Sequence, residues 1–334
     1  MTEIGSLASE PLFGLPLPEL WFALLFFIFA MFLFLDGFDF GVGILFATRD
    51  DEHEQEQLLA AIGPFWDGNE VWLVVFGGTL FAAFPAVYAN LFSRYYLLMF
   101  AILAALGFRG LAPEMYEERE DTQWRRFWGY AFIIGSTTTP FLLGIFVMNW
   151  LLGASALISL QGVLAGLAVV ALTVVDGAAF LGLKTRGALR DDARTYGVRA
   201  AIGYLVLTGL TLGLVYSTTP SLRPSFQSPA IVGLVLLTGG LVAGYILAFR
   251  TQRYHLTFVI AAGLVFALVT LLAGLMFPVV DRAAELTIRD AIISTLPLNL
   301  MTIMASVLLP LVFGYFVVLY SAFSGPIESE ETYR

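Results

Sequence analysis

Long apolar runs dominate this chain, near 20–47, 58–83, 87–111, 127–149, 161–183, 200–216, 229–249, 256–277 and 295–323. A bilayer core of about 30 Å needs about 20 apolar helical residues per crossing. The pattern therefore predicts nine transmembrane helices with short connections. Turn-forming clusters such as Thr219-Pro220 and Pro224-Ser225 separate several of the runs. The sixth run is short and rich in glycine.

Polar positions inside the runs are few, which makes them informative. Asp36 and Asp39 lie near the end of the first run, and Asp67 and Glu70 open the acidic part of the second. A carboxylate in a bilayer costs about 2.5 kcal/mol or more on insertion scales, so it is tolerated where it lines water or faces a partner. Three-residue spacing puts Asp36 with Asp39, and Asp67 with Glu70, on one helix face each. Trp66, Asn69 and Trp72 surround the second pair and can donate hydrogen bonds. Grouped acids in a low-dielectric setting suit proton hand-off, whereas the plainer reading is that they pair with arginines or helix ends, including those of a partner subunit.

Composition agrees with a membrane protein: 334 residues, 59% hydrophobic, 13% charged and 15% aromatic, with a mean hydropathy of +0.84. A soluble domain could not hide so much apolar surface. The chain has no cysteine, which excludes disulfides, thiolate metal sites and cysteine nucleophiles. Only His53 and His255 offer imidazole ligands, and neither has a second ligand at helical spacing, so no haem or metal site is expected from this chain alone. Glu3, Glu10 and Glu19 precede the first basic residue, Arg49, which is the wrong charge pattern for a cleaved signal. The first helix is expected to remain in the mature protein.

Charge also orients the helices. With nine crossings, 13 of the 17 basic residues fall on one side: Arg49, Arg109 to Arg126, Lys184 to Arg199, Arg250, Arg253 and Arg334. The positive-inside rule then places the N-terminus outside and the C-terminus in the cytoplasm. Counting from the cytoplasmic ends, Asp36 and Asp67 both lie roughly 13–17 Å along their helices at 1.5 Å per residue, so a hairpin brings them to one level. Asp176 occupies the cytoplasmic half of the fifth run. Lys184 to Arg199 is expected to be a solvated cytoplasmic loop. The glycines Gly37, Gly41, Gly43, Gly77 and Gly78 are expected to permit close helix approach. Arginine supplies 16 of the 17 basic residues and the net charge is −9, as in proteins of high-salt or GC-rich organisms.

Asp176-Gly177-Ala178-Ala179-Phe180 matches Asp36-Gly37-Phe38-Asp39-Phe40 at three of five places. That hints at a duplicated four-helix unit. The fold expected is all-α and polytopic. Residues 1–150 form an N-terminal tail and first four-helix bundle, 151–278 a second, and 279–334 a peripheral ninth helix with a cytoplasmic tail.

Four stretches together resemble subunit II of the cytochrome bd-type quinol oxidases, including their cyanide-insensitive relatives. They are Leu35-Asp-Gly-Phe-Asp-Phe-Gly-Val-Gly-Ile-Leu45, Pro64-Phe-Trp-Asp-Gly-Asn-Glu-Val-Trp72, Gly77-Gly-Thr-Leu-Phe-Ala-Ala-Phe-Pro-Ala-Val-Tyr88 and Phe108-Arg-Gly110. Leu298-Asn-Leu-Met-Thr302, followed by Pro310, is similar to the family's last helix. The resemblance implies a complex in which a homologous subunit I carries two b haems and one d haem, oxidises quinol and reduces dioxygen. Subunit II would hold no haem and no catalytic group, support assembly, and supply part of the cytoplasmic proton route.

Carried over by motif, the aspartate of the family's proton path falls on Asp67, and Asp36 and Asp39 match its Asp-Gly-Phe-Asp pair. Glu70 is an acid where the resemblance points to an uncharged amide, and it is counted with the path residues as an extra acid that either joins the route or is merely kept protonated. Some members hold a structural quinone in this subunit, and a small single-helix subunit is a further partner in some complexes. No motif here decides either point. Lipid surrounds such a chain in the prokaryotic plasma membrane, and nucleic acid is not an expected partner. Two rivals remain at this stage: a proton- or cation-coupled secondary transporter, and a scaffold whose acids serve only contacts between helices or subunits.

Overall fold

The computed structural model describes residues 7–327. Glu3 and Arg334, which entered the charge reading, lie outside them. The main helices are α1 (Leu17–Phe46), α2 (Glu52–Ile62), α3 (Trp66–Ala83), α4 (Pro85–Arg94), α5 (Tyr96–Glu117), α6 (Thr122–Leu152), α7 (Leu160–Lys184), α8 (Gly187–Thr218), α9 (Pro229–Arg250), α10 (Tyr254–Met276) and α11 (Thr295–Ala322). Eight of these, all except α2, α3 and α4, are long and apolar enough to cross a membrane. Several start on a side-chain cap that accepts from an otherwise unpaired backbone N–H: Asp51 from Glu54, Asp121 from Trp124, Ser159 from Gly162 and Ser228 from Ile231. Gly153, at φ +63°, closes α6 in the left-handed region.

Three sequence expectations need correction. The run 58–83 is not one helix but breaks at Gly63–Phe65 into α2 and α3. Gly63 keeps helical backbone angles, but Pro64 has no N–H to continue the hydrogen-bond ladder, so the polar α2 ends there. Asp67 consequently stands in the first turn of α3. The run 87–111 breaks at Tyr95, whose hydroxyl donates toward the carbonyls of Asn149 (3.0 Å) and Ala154 (2.6 Å). Helix α5 then extends to Glu117, so Arg109 belongs to a helix interior and not to a loop. Finally, the basic stretch after Lys184 is largely the start of α8, a 32-residue helix rather than a short one. Its alanine, leucine and arginine residues are good helix formers.

Helices α1 and α7 occupy the centre. Helix α1 packs on α3, α6, α7 and α10, and α7 packs on α6, α8 and α10 as well. Their backbones nearly touch: a Cβ at Gly41 would lie 1.9 Å from the Thr173 carbonyl oxygen, and one at Gly177 would lie 2.6 Å from the Gly41 carbonyl carbon. Glycine is required at both positions. Gly77 and Gly78, by contrast, have nothing within 4 Å of a built Cβ, so they mediate no close approach in this chain. Helix α11 leans on α1 and α3 through side chains, with Trp21 Nε1 donating to Thr302 Oγ1 at 2.9 Å and Phe313 packing against Phe27 and Trp72.

The helix ends gather into two polar rims. One rim joins Arg49 to Asp192 (2.8 Å) and Arg125 to Glu56 (2.9 Å), and ties Lys184 Nζ to the Phe323 carbonyl. The other joins Arg94 to Asp281 (3.2 Å) and Arg289 to Glu19 (2.6 Å) beside a small antiparallel hairpin, β1 (Val279–Asp281) with β2 (Leu286–Thr287). Between the rims the contacts are overwhelmingly apolar, apart from one group of charged side chains and the separate acid Asp176.

Candidate functional site

That group forms around Arg109, the guanidinium at the middle of the interior. Its side chain is 1% exposed. Gly135 of α6 makes this depth accessible, because a Cβ there would lie 2.7 Å from the Arg109 backbone nitrogen. Nη2 of Arg109 stands 2.7 Å from Asp36 Oδ1 and 3.2 Å from Asp39 Oδ2, and Nη1 stands 3.2 Å from Glu70 Oε2. The guanidinium is also flanked by the rings of Phe40 (5.2 Å) and Trp66 (5.6 Å). Aromatic faces favour a desolvated cation.

Helical spacing explains why these acids converge. Asp36 and Asp39 are three residues apart on α1, so both point at α5, while Glu70 sits one turn into α3. Asn69 fixes the pair from the other side: its Nδ2 donates to Asp39 Oδ2 (2.9 Å) and to the Leu35 carbonyl (3.1 Å). Its remaining oxygen accepts from the Tyr320 hydroxyl of α11 at 2.9 Å. Tyr320 in turn stacks on Phe65 with ring centroids 4.6 Å apart. Four helices therefore hold a single polar network.

Charge balance gives the network its chemistry. One guanidinium faces three carboxyls, and at roughly 4 kcal/mol per pair at 4 Å and an effective dielectric near 20, repulsions among three carboxylates offset the attractions to one cation. Arg109 balances one negative charge, and the other acids need protons or water. Asp36 and Asp39 are wholly buried, whereas the Glu70 side chain is 31% exposed. The arrangement thus links an acid at the surface of this chain to two that are enclosed.

The expected residues divide. Asp36, Asp39 and Glu70 come together, with Asn69 bonded to Asp39 and Trp66 beneath the guanidinium. Asp67 is exposed on the outer side of α3, within electrostatic reach of Glu70 but outside the Arg109 network. Trp72 is buried against Phe313 and Phe316 and packs α11 rather than serving the acids. Arg109 and Tyr320 were missed as site residues. Arg109 carried a usable signal, since it is the lone charge within Leu106-Gly-Phe-Arg-Gly-Leu-Ala112. Tyr320 carried none, because its partner is 251 residues away.

His53 and His255 sit exposed near helix starts on one rim, His53 beside Gln57 at 3.1 Å. Among the described residues no group of three His, Cys, Asp or Glu could hold a metal ion.

Helices long and apolar enough to cross a membrane, packed about a buried ionic network, define a multi-pass integral membrane protein. Comparison with known proteins refines the class. Residues 17–323 match the family described as cytochrome bd terminal oxidase subunit II, and the chain belongs to that family. It is 32% identical to cytochrome bd ubiquinol oxidase subunit 2 of Bacillus subtilis, over 94% of this chain and 98% of that one. It is likewise 32% identical to cytochrome bd-I ubiquinol oxidase subunit 2 of Escherichia coli, over 94% and 96%. In fold it is similar to a chain in the structure of bd oxidase from Geobacillus thermodenitrificans, with a TM-score of 0.78, 17% identity, and coverage of 92% of this chain and 99% of that one. These homologues are subunits of a membrane oxidoreductase, and the chain is a multi-pass protein of the prokaryotic plasma membrane.

Proposed function

We propose that this chain is the haem-free subunit II of a quinol:dioxygen oxidoreductase, supporting assembly of a haem-bearing subunit I and passing cytoplasmic protons toward its oxygen-reducing site. In this reading α3 is the ninth crossing, and two four-helix units, residues 1–150 and 151–278, are followed by a peripheral helix within 279–334. The N-terminus is outside, and the rim holding Arg49, Arg125 and Lys184 is cytoplasmic. Two b haems and one d haem reside in subunit I and supply the redox chemistry.

The observation that carries the proposal is the shared guanidinium. Glu70 lies at the surface of this chain, and through Arg109 it adjoins two acids that are fully enclosed. A proton from the cytoplasmic side meets Asp67 in the first turn of α3, then Glu70 one turn on, then Asp36 or Asp39. Arg109 holds the three carboxyls at 2.7–3.2 Å from its nitrogens, and so keeps them close enough for exchange directly or through one water. Asn69 fixes the rotamer of Asp39.

Glu70→Gln tests the proposal, because an amide keeps the shape and one hydrogen bond to Arg109 but carries no proton. In the complex purified with subunit I, haem b and haem d absorption should persist while oxygen consumption falls. Loss of the haems together with activity would assign the network to scaffolding instead, and unchanged oxygen consumption would exclude Glu70 from the route.

A further inference from the structure

Asp176 of α7 takes no part in the Arg109 network, yet it is wholly buried. Among the described residues, neither of its carboxyl oxygens has a hydrogen-bond partner or an ion pair. The carboxyl lies against α1: a Cβ at Gly37 would be 3.3 Å from Asp176 Oδ2, which sets it between the backbone positions of Asp36 and Asp39. Asp39 is within its electrostatic reach.

The groups that face it do not neutralise it. From α9, Tyr245 directs its hydroxyl to the Val175 carbonyl at 2.8 Å, and from α11, Tyr320 directs its own to Asn69. Lys184 is two turns further along α7, with its Nζ 5.0 Å from the Phe65 ring centroid and bonded to the Phe323 carbonyl. Arg109 engages Asp36, Asp39 and Glu70. An ionised carboxylate in such a place costs several kcal/mol with nothing to offset it, so the side chain is a neutral acid that carries its proton.

Water comes near. A cavity of about 290 Å³ opens on the same rim as Lys184, between α7, α10 and α11, and Arg190, His255, Phe180 and Tyr320 line it. Phe180 is one turn from Asp176 and stacks on Phe38, at 4.2 Å between ring centroids, in the interval between Asp36 and Asp39. Tyr320 reaches the other side of the same acids through Asn69. Phe180 and Tyr320 thus stand between the cavity and the acids, and its volume is ample for several waters.

We propose that Asp176 is a second proton-holding site of this chain, exchanging with Asp39 across the crossing of α1 and α7 and supplied from the cavity beside Lys184. The inference rests on reading the Arg109 network as a proton route. The transfer involves no redox step: a proton leaves the Asp176 carboxyl for an ionised Asp39, and Asp176 is reloaded from cavity water as Phe180 and Tyr320 shift.

Asp176→Asn in the assembled complex tests this, because an amide replaces a neutral carboxyl without changing charge or volume. Infrared difference spectra should lose one protonated-carboxyl band that shifts in heavy water. Proton uptake during oxygen reduction should slow by roughly tenfold, less than the ~10²–10⁴ of a lost sole acid–base group, since the Glu70 arm remains open. Haem absorption should be unchanged. Persistence of the band, or uptake at the parent rate while Glu70→Gln slows it, overturns the role of Asp176 and leaves the Arg109 route standing. Parent-rate uptake in both variants overturns both. If Asp176→Asn and Asp176→Ser each fail to assemble, the carboxyl is structural and the inference is wrong.

Discussion

Replacing Arg109 with leucine removes the only guanidinium within 4 Å of Asp36, Asp39 and Glu70 among the described residues. Truncating one partner of a buried pair costs about 3–5 kcal/mol, because the other charge is left unbalanced. Here the acids limit that cost by taking up protons: at pH 7, protonating a carboxyl of ordinary pKa near 3.9 costs about 4 kcal/mol, from about 3.1 pH units at 1.36 kcal/mol each. Glu70 is only partly buried in this chain and adds less, so the wholly buried Asp36 and Asp39 set the penalty. Arg109→Leu should therefore destabilise the chain by about 3–5 kcal/mol at pH 7, and the deficit should shrink on acidification by up to about 1.4 kcal/mol per pH unit for each acid that must be protonated. Denaturant unfolding in detergent, run across pH 5–8, measures both quantities. Arg109→Leu combined with Asp36→Asn and Asp39→Asn should recover most of the loss, since the unbalanced charges are gone. Full stability of Arg109→Leu at pH 7, or an equal penalty in the doubly neutralised background, would refute the reasoning.

Two further outcomes are expected. Gly41→Ala should prevent the α1–α7 crossing, with a penalty above the 1–3 kcal/mol usual for overpacking because the new methyl meets backbone at 1.9 Å, whereas Gly78→Ala should leave yield and thermal stability unchanged. Tyr320→Phe removes the hydroxyl donated to Asn69 but keeps the stack on Phe65, so unfolding measurements should show a loss of about 1 kcal/mol with the complex still formed.

The apolar runs were legible because a bilayer imposes a length on every crossing, and the helices that replaced them fall mostly at the expected places. The break at Gly63–Phe65 carried a local signal in Gly63-Pro64. The break at Tyr95 did not, because it is secured by carbonyls of Asn149 and Ala154 more than fifty residues away. The pairing of Asp36 with Asp39 followed from three-residue spacing alone. The depth of Arg109 did not follow, because counting charges by connection placed it with the loops, while its burial depends on Gly135 of the next helix and on acids from α1 and α3. Asp67 shows the converse: its spacing from Glu70 suggested a shared face, but at the first turn of a helix the two side chains diverge in exposure.

Oxygen consumption per haem d in a complex carrying Asp67→Asn tests the proton-delivery claim most directly. Asp67 is exposed and makes no ion pair among the described residues, so its loss should not disturb the packing of this chain. The account predicts slower turnover at full haem content, with the deficit greatest at high pH where protons are scarce. Turnover equal to that of the parent complex across that range would contradict it.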